Sequence, residues 1–271
     1  MNRKLRHLFA APYSIWAGGF IIIPLLVILF YAFTGEDGGI TLSNIMTIGH
    51  PDHLKALGLS ILLSLVSTLI CLLLAYPLAM ILSKLQLSAG FMIFLFILPM
   101  WMNSLLRIFA WQALLEKRGV INALLGLIGV APLQIINTPT AIIIGMVYDF
   151  IPFMILPIYN SISKIDPNVL NAARDLGASE WQTLTKVMIP LSFPGIVSGI
   201  TMVFVPSLTT FAISSILGGS KILLIGNVIE QQFTALNNRH VGSGLSFVLM
   251  IFVFISMAMV TKYDKEGGSL L

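Results

Sequence analysis

An all-α membrane protein of six spanning helices is the fold class this sequence predicts, on three observations. Of its 271 residues, 57% are hydrophobic and only 10% are charged, whereas a soluble domain carries about 25% charged residues to meet water. The apolar residues fall in long runs, and about 20 such residues cross roughly 30 Å of hydrocarbon. Short polar segments bearing Lys and Arg separate the runs. Backbone groups in lipid must be satisfied within the segment, so helices suit runs of this kind.

The predicted spans are 13–34, 57–83, 90–113, 139–162, 192–217 and 243–262, within a single transmembrane domain over 1–271. Arg3, Lys4 and Arg6 precede the first run. A signal peptide has an apolar core of only about 7–15 residues, so this longer run reads as a retained span. Orientation follows the basic residues near span ends. With the N-terminus inside, Arg3, Lys4, Arg6, Lys84, Lys164, Arg174, Lys186, Lys262 and Lys265 are cytoplasmic. Lys55, Lys117, Arg118, Lys221 and Arg239 are then outside, so the bias favours both termini in the cytoplasm. The lone cysteine, Cys71, lies inside an apolar run and offers no disulfide framework. His7, His50, His53 and His240 lie outside the spans without an HExxH pattern, so no metal site is expected. The net charge of +4 rests on few groups and requires no nucleic acid.

The two longest loops differ in character. The outer segment 114–138 carries Gly119, Gly126, Gly129 and Pro132 among apolar residues, as for a short helix on or dipping into the membrane. The inner segment 163–191 is polar and patterned. Asp166-Pro167 is a helix start, since Asp caps free N–H groups and Pro suits the first position. Val169, Leu170, Ala173 and Leu176 then follow at helical spacing. Gly177 stands where a helix ends in a left-handed residue. Ser179 and Gln182 form a capping-box pair for a second short helix, striped by Trp181, Leu184 and Met188 ahead of Pro190 and Pro194. Such a helix–Gly–helix unit either rests on the inner leaflet or docks its apolar face into a partner groove.

At these residues the chain resembles the permeases of bacterial ABC importers. Their cytoplasmic motif reads Glu-Ala-Ala, three residues, Gly, nine residues, Ile, one residue, Leu-Pro. Ala172, Ala173, Gly177 and Pro190 match it, Val187 and Ile189 replace Ile and Leu, and Asn171 stands in place of the acid. The stretches Asn103–Ile108, Ala172–Gly177 and Leu223–Ile229 further resemble the first permease of spermidine/putrescine importers. The resemblance implies a type I importer fold with a cytoplasmic coupling helix pair, in the inner cell membrane. It implies polyamine import with a second related permease, two cytoplasmic ATPase subunits and an extracytoplasmic polyamine-binding protein. Asn171, Ala172, Ala173, Asp175, Gly177, Ala178, Trp181 and Pro190 would then carry ATPase coupling. ATP and Mg would be bound by the partner ATPase, with no cofactor in this chain.

The remaining motifs fit that division of labour. No Gly-x4-Gly-Lys-Ser/Thr loop is present, and Gly218-Gly219-Ser220-Lys221 reads as an outer turn. Gly195 and Gly199 have GxxxG spacing, which serves packing within the chain or the interface between permeases. Asp149 lies mid-span, where a carboxylate costs roughly 2.5–3.5 kcal/mol on insertion scales. It serves either as a structural hydrogen-bonding group or, with Tyr148 and Trp101, as a contact for a polyamine's ammonium groups. Arg107 would repel a polycation and is expected to snorkel to the outer headgroups. Trp101 and Trp111 suit an interfacial belt or the cargo path.

Other function classes fit less well. A secondary carrier needs no docking loop, and an intramembrane enzyme needs paired reactive groups, of which Asp149 is only one. Related permeases carry Fe(III), opines, sulfate or glycine betaine, so the polyamine expectation rests on the resemblance alone.

Overall fold

The computed structural model describes residues 12–13, 16–85, 91, 94, 96 and 98–268, with side chains of all of these except 220 and 260–268. The principal helices are α1 (Gly18–Phe33), α2 (Pro51–Lys84), α3 (Ser104–Leu115), α4 (Val120–Leu127), α5 (Pro139–Ile162) and α6 (Pro167–Asp175). They continue as α7 (Glu180–Thr209), α8 (Ala212–Leu217), α9 (Ile225–Thr234) and α10 (Arg239–Gly268). Extended pairing among the described residues is limited to one bridge, Thr34 with Ile40.

Four described helices are long and apolar enough to cross a membrane: α2, α5, α7 and the Arg239–Met259 part of α10. The predicted first span, 13–34, corresponds to the shorter α1, and positions 14–15 near its start lie outside the described residues. So does much of 90–97 in the predicted third span, whose described helix begins only at Ser104. Asn103 sets that start, because its side chain accepts the Leu105 N–H at 2.9 Å. The basic N-terminal residues and the side chains of Lys262 and Lys265 are likewise outside the description. Segment 114–138 does form a short helix, α4.

Two expected boundaries are corrected. The second helix of the inner loop runs on into the fifth span as α7. A π-turn over Leu184–Met188 lets the Ile189 N–H reach back to Leu184, five residues away. That widened turn precedes Pro190, which has no N–H and would clash with a regular preceding turn. The fifth span also ends early, at Thr209, rather than running to 217. Thr210 is extended, and α8 begins two residues later. Ser207 and Thr209 already bond back to the Val203 and Val205 carbonyls at 2.7 and 3.2 Å, which loosens the final turn.

Contacts divide the chain into Met1–Lys55 with Val228–Phe254, and Ala56–Asn227 with Ile255–Leu271. In the first unit, buried Asn44 donates to the Tyr31 and Thr34 carbonyls at 3.2 and 2.9 Å, capping the end of α1. Phe33 packs edge-on against Phe247 of α10, with ring centroids 5.1 Å apart.

The second unit is built on α5 and α7. A Cβ on Gly195 would lie 2.5 Å from Ser161 Cβ and 2.6 Å from the Pro157 carbonyl oxygen. One on Gly199 would lie 2.6 Å from Met154 Sδ. The GxxxG pair therefore serves packing within the chain, letting the two backbones approach. Met154, Ile155 and Ile158 are buried along this seam. Gly195→Val is expected to destabilise the protein by about 1–3 kcal/mol through overpacking, read as a lower midpoint in thermal unfolding of purified protein. An unchanged midpoint would show that the helices separate freely.

Candidate coupling surface and intramembrane polar site

Segment 163–191 is shaped by local chemistry. Asp166 Oδ1 accepts the Asn168 N–H at 2.9 Å and Pro167 opens α6. The Gly177 N–H donates to Arg174 O at 2.8 Å, and the Ala178 N–H to Ala173 O at 3.1 Å. These bonds close a turn with Gly177 at φ +83°, a region L side chains resist and glycine does not. The capping box is complete. Gln182 N–H donates to Ser179 Oγ at 3.2 Å, and Ser179 N–H to Gln182 Oε1 at 2.9 Å. Arg174 pairs with Glu180 at 3.2 Å across the turn, an exposed ion pair worth about 0–1 kcal/mol.

The expected apolar stripe of α6 divides. Leu170 packs on the core, while Leu176 is 89% exposed and, beyond the turn, Trp181 is 71% exposed. Asn171, Ala172, Asp175, Gly177 and Pro190 are exposed, and Ala173 and Ala178 half-buried. Two large apolar side chains thus flank an open glycine turn. A cleft of about 360 Å³ lies beneath, lined in part by Lys84, Leu170, Arg174 and Trp181.

Within the predicted spans, Arg107 Nη2 lies 2.7 Å from Asp149 Oδ1, with the two side chains 9% and 13% exposed. Arg107 is therefore buried beside a carboxylate and does not reach for headgroups. Asp149 is not a lone charge: the cation offsets much of the cost of placing it mid-span. The pair is under-bonded on its cationic side, since Arg107 Nε and Nη1 make no hydrogen bond. Each unmet buried group costs about 1–3 kcal/mol. The signal was in the sequence, where the ionisable residues within predicted spans were of opposite sign. Tyr148 packs edge-on against Trp111 at 5.3 Å, and Trp101 against Phe94 at 5.8 Å. The three expected cargo residues are thus held by three different partners.

Sequence reasoning missed Asn227, which is 2% exposed. Its Nδ2 donates to Phe211 O at 3.0 Å and Ser215 Oγ at 2.7 Å. Its Oδ1 accepts from Ser214 Oγ at 2.6 Å and the Leu224 N–H at 3.0 Å. The Ile225 N–H donates to Ser60 Oγ at 2.8 Å. This network ties the start of α8 to the start of α9. In the sequence Asn227 showed only as one residue of the Leu223–Ile229 stretch, with no sign of its partners. Among the described residues, no three His, Cys, Asp or Glu side chains converge as metal ligands.

Residues 2–264 match the family model described as binding-protein-dependent transport system inner membrane component. The chain is 37% identical to the spermidine/putrescine transport system permease protein PotB of Haemophilus influenzae, covering 98% of this chain and 96% of that one. Identity to PotB of Escherichia coli is 40%, over 92% and 94% of the two chains. The inner membrane ABC transporter permease protein YdcU of Escherichia coli is 28% identical, over 91% and 86%. Among solved structures, a bacterial ABC transporter involved in import of the acidic polysaccharide alginate matches with TM-score 0.83 and 16% identity, over 97% of this chain and 95% of that chain.

Proposed function

We propose that this chain, which belongs to the family of binding-protein-dependent transport system inner membrane components, is a permease subunit for import of spermidine and putrescine. The observation that carries the cargo is its likeness, over nearly its whole length, to permeases named for those polyamines. The permease is the non-enzymatic membrane component, and ATP hydrolysis belongs to separate subunits. In this reading residues 1–271 form one permease domain of six spans, multi-pass in the inner cell membrane with both termini cytoplasmic. A second related permease completes the pore, two ATPase subunits bind ATP and Mg inside, and a polyamine-binding protein delivers cargo outside.

Energy coupling falls to the α6–α7 turn, with Asn171, Ala172, Ala173, Asp175, Gly177, Ala178, Trp181 and Pro190 as the docking residues. The exposed Leu176 and Trp181 beside an open turn support this, since apolar side chains held out by a capped scaffold suit a partner groove. Cargo contact is assigned to Asp149 with Tyr148 and Trp101. Because Arg107 already meets Asp149, an ammonium group reaches that carboxylate only by exchanging with the guanidinium.

The test is uptake of labelled spermidine and putrescine in cells lacking their own polyamine importers, supplied with this chain and its operon partners. Saturable, ATP-dependent uptake of at least one polyamine is expected, and unlabelled sulfate or glycine betaine should not compete. Uptake of one of those cargoes instead, with none of polyamine, would reject the cargo assignment and leave the permease role intact.

A further inference from the structure

The helices α2 and α5, both long and apolar enough to cross a membrane, end at the cleft beneath the Gly177 turn. Met80, Ser83 and Lys84 from the last turns of α2 border it, as does Ile162, the last residue of α5. The cleft therefore sits where apolar spans give way to polar chain. Its volume of about 360 Å³ falls in the range of small-ligand sites, about 300–1,000 Å³.

The lining mixes apolar surface with cations. Met80, Ile165, Leu184 and Met188 supply the first, and Lys84 and Arg174 the second. Arg174 gives one nitrogen, Nη2, to Glu180, which also borders the cleft; a guanidinium has five N–H donors in all. Lys84 is exposed and makes no ion pair among the described residues. Two cations thus face one acid.

A buried hydroxyl borders the same cleft. Thr183 is 2% exposed, and its Oγ1 has no hydrogen-bond partner among the described residues. Other buried hydroxyls of these helices bond back to the carbonyl four residues earlier, Ser60 to Ala56 at 2.9 Å and Ser192 to Met188 at 2.7 Å. Buried polar groups are rarely left unpaired, because desolvation then goes uncompensated. A free O–H donor, a guanidinium and an ammonium together suit an oxyanion with several acceptor oxygens. The apolar lining selects among oxyanions. A free phosphate gains nothing from Met80, Leu184 and Met188, whereas a phospholipid sets its glycerol and first methylenes against them. Basic pockets between spans on the cytoplasmic side suit anionic headgroups, and in the topology proposed above α2 and α5 end on that side.

We infer that this cleft is a binding site for an anionic phospholipid of the inner leaflet, its phosphate held by Lys84, Arg174 and Thr183. The bound lipid joins α6 to the ends of α2 and α5, beneath the turn assigned to ATPase coupling. The inference rests on the spanning topology proposed above and is independent of the cargo.

The test reconstitutes the complete importer in vesicles of phosphatidylethanolamine and phosphatidylglycerol. A trace of phosphatidylglycerol carries a photoactivatable diazirine beside its glycerol, and labelled peptides are mapped by mass spectrometry. Leu74 on α2, 64% exposed, reports ordinary lipid contact and so checks the span itself. Labelling of 80–84 and 183–188 relative to Leu74 should exceed the same ratio for a diazirine phosphatidylethanolamine by at least about fivefold, the preference one basic residue confers near an anionic headgroup. With labelling at Leu74 unchanged, Lys84→Gln should abolish that preference, and Thr183→Val, which keeps the volume, should reduce it. Equal ratios for the two lipids, or a full preference in either variant, would overturn the inference. So would cleft labelling that appears only when the ATPase subunits are omitted, since a partner then fills the cleft in the assembled importer. Loss of the label on adding inorganic phosphate would assign the site to the free anion and overturn the lipid.

Discussion

Gly177→Val is expected to leave the importer assembled in its membrane while removing most of its cargo-stimulated ATP hydrolysis. The turn holds Gly177 at φ +83°, where a side chain costs on the order of 1–2 kcal/mol. No heavy atom lies within 4 Å of the added Cβ, so the fold itself has room for the substitution. The strain is relieved by opening the turn, which changes the angle between α6 and the start of α7 and moves Trp181 relative to Leu176. Asparagine tolerates left-handed backbone better than a β-branched residue, so Gly177→Asn should keep most of the coupling. The measurement is ATPase activity of the purified complex with and without cargo-loaded binding protein. Full stimulation in Gly177→Val would show that ATPase docking does not use this turn.

The second large effect concerns the buried ion pair. Removing one partner strands the other charge, and such losses typically cost 3–5 kcal/mol. Arg107→Met and Asp149→Leu should therefore each lower the yield and unfolding midpoint of the purified complex, while the double variant recovers much of both. Asp149→Asn, the natural test of a lone carboxylate, is confounded here because it leaves Arg107 uncompensated. The informative variant is Arg107→Met with Asp149→Asn, which removes both charges and nearly preserves the volume at 149. If Asp149 contacts cargo, that complex assembles but imports polyamine poorly, with basal ATP hydrolysis intact. Uptake kinetics equal to those of the unaltered importer would reject the cargo role and leave the pair a purely structural joint between α3 and α5.

Much of this protein was legible before any coordinates. Run length and scarcity of charge predicted spanning helices, because lipid leaves the backbone few alternatives. The turn at Gly177 was read almost residue by residue. Asp166, Pro167, Gly177, Ser179 and Gln182 act on neighbours within a few positions, so their meaning is local and survives in sequence. The GxxxG spacing at Gly195 and Gly199 announced a close helix contact without saying with which helix.

What tertiary structure decided is what depends on distant partners. The early end of α7 at Thr209 accompanies bonds between Asn227 and Phe211, Ser214 and Ser215, and periodicity in a largely apolar run cannot reveal them. The π-turn before Pro190 joined two helices that the proline pattern seemed to separate. Most consequentially, Arg107 and Asp149 are 42 positions apart in sequence (149 minus 107) and 2.7 Å apart in space. Composition alone makes them two costly charges in lipid, and only the packing of α3 against α5 turns them into a pair. Local rules act over a turn or two of chain, whereas charge compensation and backbone coverage inside a membrane are settled by whichever groups the fold brings together.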